Sequence, residues 1–345
     1  MPKHNSNNLR IKRKYLVWLK EAKGLSEKSI DKAASSISTY EAFLDGKDFR
    51  AFHAELVRGF KRHLSSRKNE RTGAKISQAS VNGVLRDLKA FFLFLADQSG
   101  YKSKITYSEA AYFSTERKSE LAARGGCWKP HPSPQQARHV LDQMPADTVF
   151  QRRDRAFLAF LFLTGSREGA AITIRLQHMD LSAGCVHFDG KTVNTKFGKS
   201  FTTSIFPFGS NAEQILRDWI DELQNQHLFG KSDPLFPKTK VSPGADCRFT
   251  AIGITREPWA SPSTAAKIFK SAFADNGFPP FSPHLVRDMI IELASDFCRT
   301  PEEFKAWSQN MGHEDVLMSF RAYGSVATGR QMELITRFRE NRSAV

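Results

Sequence analysis

The sequence predicts a mainly α protein with a small β-sheet in its C-terminal part. It divides into a helical N-terminal domain and an α+β C-terminal domain. Three observations carry this reading. Apolar residues recur at helical spacing from Arg10 to about Gly100. A stretch of charge, Gly-Gly and three prolines follows, "STERKSELAARGGCWKPHPSPQQA". Beyond it, helical segments enclose two short strand-like runs joined by a Lys-rich turn. A length of 345 residues suits two domains.

Residues 1–9 read as a flexible arm, 10–112 as the helical domain, 113–135 as the linker and 136–345 as the second domain. "RIKRKYLVWLKEAKG" places Ile11, Tyr15, Leu16 and Leu19 on one stripe. The next helix has Ser26 as its N-cap and Leu25, Ile30, Ile37 and Phe43 among its apolar positions. A third is amphipathic to about Leu64. A fourth carries Val81, Val84, Leu85, Leu88, Phe91, Phe92 and Leu95, and its stop signal is Gly100. A further short helix falls near 107–112. Ser133 and Pro134 make an N-cap and first helical residue for the second domain. "RDRAFLAFLFLTGSREG" is apolar on almost every side, hence central and buried, with Gly165 ending it. "GCVHFDG" and "KSFTTSIFPFG" read as strands. "AEQILRDWIDELQNQ", "SPHLVRDMIIELASDF" and "PEEFKAWSQNM" read as helices, and the tail ends on a short amphipathic one.

Charge is lopsided. Residues 1–125 hold 25 Lys+Arg against 13 Asp+Glu, whereas the remaining 220 hold 26 against 23. A basic N-terminal domain suits a phosphate backbone, and solubility alone explains the asymmetry less well. No run approaches the roughly 18 apolar residues a membrane span needs, and no signal core is evident, so a cytoplasmic location is expected with no membrane partner. Cys127, Cys185, Cys247 and Cys298 form no C-x-x-C and show no zinc-type spacing from a histidine, so they read as reduced packing residues. No metal or cofactor is expected.

Four stretches can carry chemistry. In "FSPHLVRDMIIELA", Ser282 and Pro283 start a helix and put His284 and Arg287 in its first turn. Two cations there oppose the helix dipole, which a phosphate would relieve. In "LFLTGSREGAAITIRL", a core helix breaks at Thr164-Gly165 and Arg167 follows at once, with Ser166 as a cap and Glu168 in the next turn. "GKTVNTKFGKSFTTSIFP" places Lys191, Lys196 and Lys199 about a hairpin turn. "MGHEDVLMSFRAYG" holds His313 and Tyr323. Five of the six tyrosines lie at or before Tyr112, and Phe occurs 28 times, so a late isolated phenol points to use of its hydroxyl. Consecutive His313, Glu314 and Asp315 fan apart on a helix and make a poor metal site. Taken singly, the first three stretches are also consistent with a snorkelling arginine, a loop arginine and a solvated lysine turn.

In order, these stretches resemble the tyrosine recombinase (phage integrase) family over about 136–335. The resemblance implies a catalytic set of Arg167, Lys196, His284, Arg287, His313 and Tyr323. It implies a helical core-binding (SAM-like) domain at the N-terminus, which with an α+β catalytic domain forms a clamp around DNA. Lys191 and Lys199 compete with Lys196 for the hairpin role. Many members carry an acidic residue where this chain has Ala170; either Glu168 replaces it or that support is absent. The ten-residue interval from His313 to Tyr323 is one longer than is usual in the family.

The chemistry fits these residue types. Attack on a phosphodiester adds charge to its non-bridging oxygens, which two arginines can clamp. Histidines can donate there or take the phenol proton. A tyrosine with a pKa near ~10 needs such activation. A hairpin lysine can protonate the departing 5′-oxygen. The resemblance therefore implies a site-specific recombinase that cleaves and rejoins double-stranded DNA through a 3′-phosphotyrosyl intermediate. It implies a monomer in isolation, a homo-tetramer on DNA working through a Holliday junction, and a nucleoid-associated or mobile-element setting. Met332, Leu334, Ile335 and Phe338, in a tail of about 325–345, pack on their own domain or dock on a neighbouring subunit. The alternatives are a type IB topoisomerase-like enzyme and a non-catalytic DNA-binding protein of the same fold. An RNA-binding or structural helical protein would explain the charge but not the ordered set.

Overall fold

A computed structural model of the chain describes residues 5–69, 73–115, 130–209, 211–243, 248–313, 329, 331–333, 335 and 336. The chain separates into two compact units, Met1–Gly125 and Gly126–Val345.

The N-terminal unit is built from α1 (Ser6–Glu21), α2 (Glu27–Phe43), α3 (Ala54–Ser66), α4 (Gln78–Ala96) and the short α5 (Tyr107–Ala110). The first helix begins inside the stretch read as a flexible arm. Asn5 caps it by accepting from Asn7 N and Asn8 N, and the buried Asn8 amide donates to Lys47 O and accepts from Phe49 N. A buried amide with both ends bonded anchors residues that polar composition alone marks as free. Helix α4 ends at Ala96, before Gly100, which lies in the following turn at φ 82°. The Ser26 side chain makes no capping bond, and Leu25 is exposed. The core is aromatic: Tyr15, Tyr40, Phe49, Phe60, Phe91, Phe92 and Phe113 are all fully buried. Edge-on pairs such as Tyr40 on Phe60 and Phe92 favour the ring quadrupoles. Phe113 thus belongs to this core and not to the expected linker over 113–135, which is trimmed at its other end by the helix starting at Pro134.

The second unit continues with α6 (Pro134–Gln143), α7 (Val149–Thr164) and the short α8 (Glu168–Ala171). Ser133 caps α6 in a capping box. Every residue from Ala156 to Thr164 in α7 is buried, as its all-round apolar surface requires. Strands β1 (Met179–Asp180), β2 (Cys185–Phe188) and β3 (Phe201–Ser204) form an antiparallel sheet in the order β1-β2-β3. Val186 pairs with Thr203 and Phe188 with Phe201 on one face; Cys185 pairs with Ser204 and His187 with Thr202 on the other. Then come α9 (Ala212–Asp221), extended by a π-helical turn, and a second hairpin, β4 (Pro237–Pro243) with β5 (Phe249–Pro258). Three helices follow: α10 (Pro262–Asp275), α11 (Val286–Phe297) and α12 (Pro301–Asn310). The sequence reading contains neither the second hairpin nor α10. Buried Arg153 in α7 anchors that hairpin, donating to Pro237 O at 2.9 Å and Thr239 Oγ1 at 3.0 Å.

Candidate active site

Three backbone corners build the site. At the first, α7 ends on Gly165 in the left-handed region, φ 58°, where a Cβ would also press on Ile290 at 3.0 Å. Thr164 Oγ1 donates to Phe160 O at 2.7 Å and accepts from Ser166 N at 3.2 Å. This turn makes Arg167 the N-cap residue of α8, a role expected for Ser166. Ser166 Oγ is instead buried with no hydrogen-bond partner among the described residues, as is Glu168 Oε2. Ala170 is buried, so no carboxylate occupies that position.

At the second corner, Pro283–Leu285 form a 3-10 turn before α11. The cap expected from Ser282 is absent, since its side chain bonds to no backbone N–H. The tight turn sends its two cations different ways. His284 keeps an exposed edge, while Arg287 is only 4% exposed. Arg287 Nη1 donates to Gly165 O at 2.5 Å and Nη2 to Met311 O at 2.9 Å. One guanidinium therefore ties the first corner to the third.

The third corner follows α12. Asn310 docks it onto β3: Ser204 N donates to Asn310 Oδ1 at 2.7 Å, Asn310 Nδ2 to Ser204 O at 2.9 Å, and Thr203 Oγ1 to Asn310 O at 2.9 Å. Gly312 turns the chain at φ 69°, with the Phe201 ring 3.1 Å from where a Cβ would stand. His313 follows, its N–H donating to Ser308 O at 3.2 Å.

Lys196 reaches the site from the β2–β3 connection, in a 3-10 turn spanning Lys196–Gly198 with Phe197 at φ 64°. The two sides of this loop meet at Gly190, where a Cβ would lie 2.0 Å from Gly198 O. Only glycine permits that approach. Lys191 and Lys199 are exposed, and neither lines the cleft described next.

Arg167, Lys196 and Arg287 line one small cleft together with Thr164, Ser166, Thr195, Phe201 and Met311. Among the described residues, no carboxylate lines it. Burial and then the Arg167 charge push the Arg287 guanidinium down to about 9, with Asp288 opposing. Burial also lowers Arg167. His313 is pushed down to about 4 by burial and then by Arg287, Arg167 and His284. His284 is lowered by the protein packed about its ring and then by Arg287, while Asp288 and Glu168 raise it. The cleft is thus a desolvated cationic cluster with neutral histidines, an environment that favours an entering anion. Three of the six residues singled out in the sequence, Arg167, Lys196 and Arg287, line the cleft, and His284 and His313 lie close enough to feel the charges of both arginines. Tyr323 lies outside the described residues, as does most of the 325–345 segment, in which Met332 and Ile335 are exposed. Sequence reasoning missed the carbonyls of Gly165 and Met311 as the seats of Arg287. Gly165 and Gly312, at the first and third corners, were the available signal.

The fold has known counterparts. A crystal structure of a lambda integrase(75-356) dimer bound to a COC′ core site matches with a TM-score of 0.63 at 15% identity, covering 93% of this chain and 96% of that one. The XerH site-specific recombinase bound to palindromic difH substrate, in a post-cleavage complex, matches with a TM-score of 0.63 at 16% identity, covering 93% of this chain and 82% of that one. At such identities the likeness is one of fold. The family model for the phage integrase family matches residues 133–330, more than half of the chain, and the chain belongs to that family. Tyrosine recombinase XerC of Pseudomonas putida is 25% identical over 181 residues, 52% of this chain and 50% of the relative. Tyrosine recombinase XerD of Neisseria meningitidis serogroup B is 25% identical over 183 residues, 53% of this chain and 54% of the relative. The chain spans about half the length of the curated relatives it matches. Among the described residues, no helix is long and apolar enough to cross a membrane.

Proposed function

We propose that the protein is a site-specific DNA recombinase that breaks and rejoins strands through a 3′-phosphotyrosyl intermediate. The observation that carries this reading is the convergence of Arg167, Lys196 and Arg287 on one cleft that no carboxylate of the described residues lines. In this reading Arg287, held by two backbone carbonyls, and Arg167, set by the turn after α7, clamp the non-bridging oxygens of the scissile phosphate. Preorganised charges act most strongly on negative charge that grows during attack. His284 and His313, neutral before DNA arrives, accept the Tyr323 proton or donate to a phosphate oxygen. Tyr323 Oη attacks phosphorus, the bond to the 5′-oxygen breaks, and Lys196 Nζ delivers the proton that the leaving oxygen needs. Rejoining reverses these steps with another strand, so the link conserves the bond energy and no nucleotide is consumed.

The wider proposal is that the basic N-terminal unit closes a clamp on duplex DNA and that four copies act on a Holliday junction. The charge asymmetry supports the first part, and the exposed Met332 and Ile335 support docking by the tail. The test uses nicked duplexes recovered from a random library by binding to the protein. Incubation in EDTA should yield an adduct that survives denaturant and disappears in Tyr323→Phe. No adduct on any selected duplex, or one that persists in Tyr323→Phe, overturns the mechanism. Relaxation of supercoiled plasmid without strand exchange would favour the topoisomerase-like alternative.

A further inference from the structure

The face of the β1–β2–β3 sheet opposite the cleft carries a separate cluster. Cys185 and His187 are two apart on β2, so their side chains share a face. Asp180 is the cross-strand partner of Cys185 and joins them there. The ligand atoms of all three lie within 4.8 Å of one another, and Cys185 Sγ is 3.7 Å from His187 Nε2. Tetrahedral zinc with ordinary Zn–S and Zn–N bonds needs a sulfur–nitrogen separation of roughly 3.6 Å. The pair is therefore already spaced for a common ion.

The surroundings fit as well. His187 Nδ1 lies 3.0 Å from Thr202 Oγ1 on β3. An Nδ1–H donating to that hydroxyl leaves the Nε2 lone pair directed to a metal, the usual way a ligating imidazole is oriented. Asp180 Oδ1 accepts from Ser182 Oγ at 2.6 Å and from Ala183 N at 2.9 Å. The carboxylate supplies the oxygen ligand of the cluster. Cys185 is a free thiol at 9% exposure, and His187 is exposed, so an ion has an access route.

We propose that Asp180, Cys185 and His187 form a binding site for a soft divalent cation, zinc being the fitting one, with the fourth position left to water. Binding displaces the Cys185 thiol proton, and the thiolate and carboxylate together balance the charge of the ion. The ion spans β1 and β2, so it ties β1 to the first strand of the hairpin that carries Lys196 without entering the cleft. The site is independent of the recombinase reading.

Cobalt(II) titration of the tag-free, reduced full-length chain tests this. The expected result is one equivalent bound, a thiolate-to-cobalt charge-transfer band in the near ultraviolet, visible bands of four-coordinate intensity, and displacement by zinc. Cys185→Ser and His187→Ala should lose the charge-transfer band, while Cys298→Ser keeps it. Thr202→Val, which frees the ring, should weaken binding about 10- to 100-fold. Zinc should raise the melting temperature of the unaltered chain and of Thr202→Val at higher concentration, but not of Cys185→Ser. Circular dichroism confirms that each variant is folded. Absence of the band in the unaltered chain, or its persistence in folded Cys185→Ser, overturns the proposal.

Discussion

Replacing Arg287 with Met should separate function from stability, abolishing most of the first while changing the second little. The side chain is 4% exposed and sits beside Arg167, and its guanidinium is held down to about 9. It stays charged at neutral pH, at a cost on the order of several kcal/mol to the fold. Met removes that cost and keeps much of the volume. It also leaves Gly165 O and Met311 O without their donors, a loss of about 1–3 kcal/mol for each acceptor left buried and unpaired. The two effects nearly cancel, so stability should change by no more than ~2 kcal/mol in either direction. Urea unfolding followed by tryptophan fluorescence reads this, because Trp219 and Trp259 are buried in the same unit. Cleavage, by contrast, should fall by at least about 100-fold, the scale for losing one preorganised charge on a growing anion. Sulfate should stabilise the unaltered chain more than Arg287→Met. A variant destabilised by much more than this while retaining cleavage would make Arg287 a structural bolt and refute the reasoning.

Other outcomes follow from the same geometry. An unfolded histidine titrates near ~6.5, whereas folded His313 does so at about 4. The stability this confers is therefore present above the unfolded value and is lost as pH falls toward the folded one. Urea midpoints of the unaltered chain should fall more steeply than those of His313→Gln between these limits; parallel curves would contradict the burial of that ring. Gly190→Ala should cost about 1–3 kcal/mol by overpacking, because its Cβ would meet Gly198 O at 2.0 Å. It should also slow cleavage by displacing Lys196, whereas unchanged rates would show that the loop need not hold this shape. Lys196→Ala should be rescued by a substrate whose 5′-bridging oxygen is sulfur, since a thiolate leaves without a proton. Lys199→Ala should need no such rescue, and the reverse pattern would reassign the lysine.

Long apolar periodicity made most helices legible. Helix α7 is apolar all round and ends on a left-handed glycine, both visible in "FLAFLFLTG". The β4–β5 hairpin was not legible because most of β4 and β5 is not buried and their sequences lack alternation. Helix α10 did carry a readable start, Ser261-Pro262, with Ser261 accepting from Ser263 N. The arm reading failed at Asn8 because polarity cannot reveal a buried amide whose partners, Lys47 and Phe49, are some forty residues away. The same limit applies at the site. The order of Arg167, Lys196, His284, Arg287 and His313 was readable, but their meeting point depends on long-range bonds from Arg287 and Asn310. The Asp180–Cys185–His187 cluster escaped a search by ligand spacing because strand pairing, not sequence interval, brings Asp180 to the other two.

The most direct test of the central claim is to locate the covalent bond itself. A trapped adduct, digested with protease and nuclease and sequenced by mass spectrometry, should carry its nucleotide phosphate on Tyr323 and on no other residue. A phosphate on a serine, a histidine or another tyrosine would contradict the account.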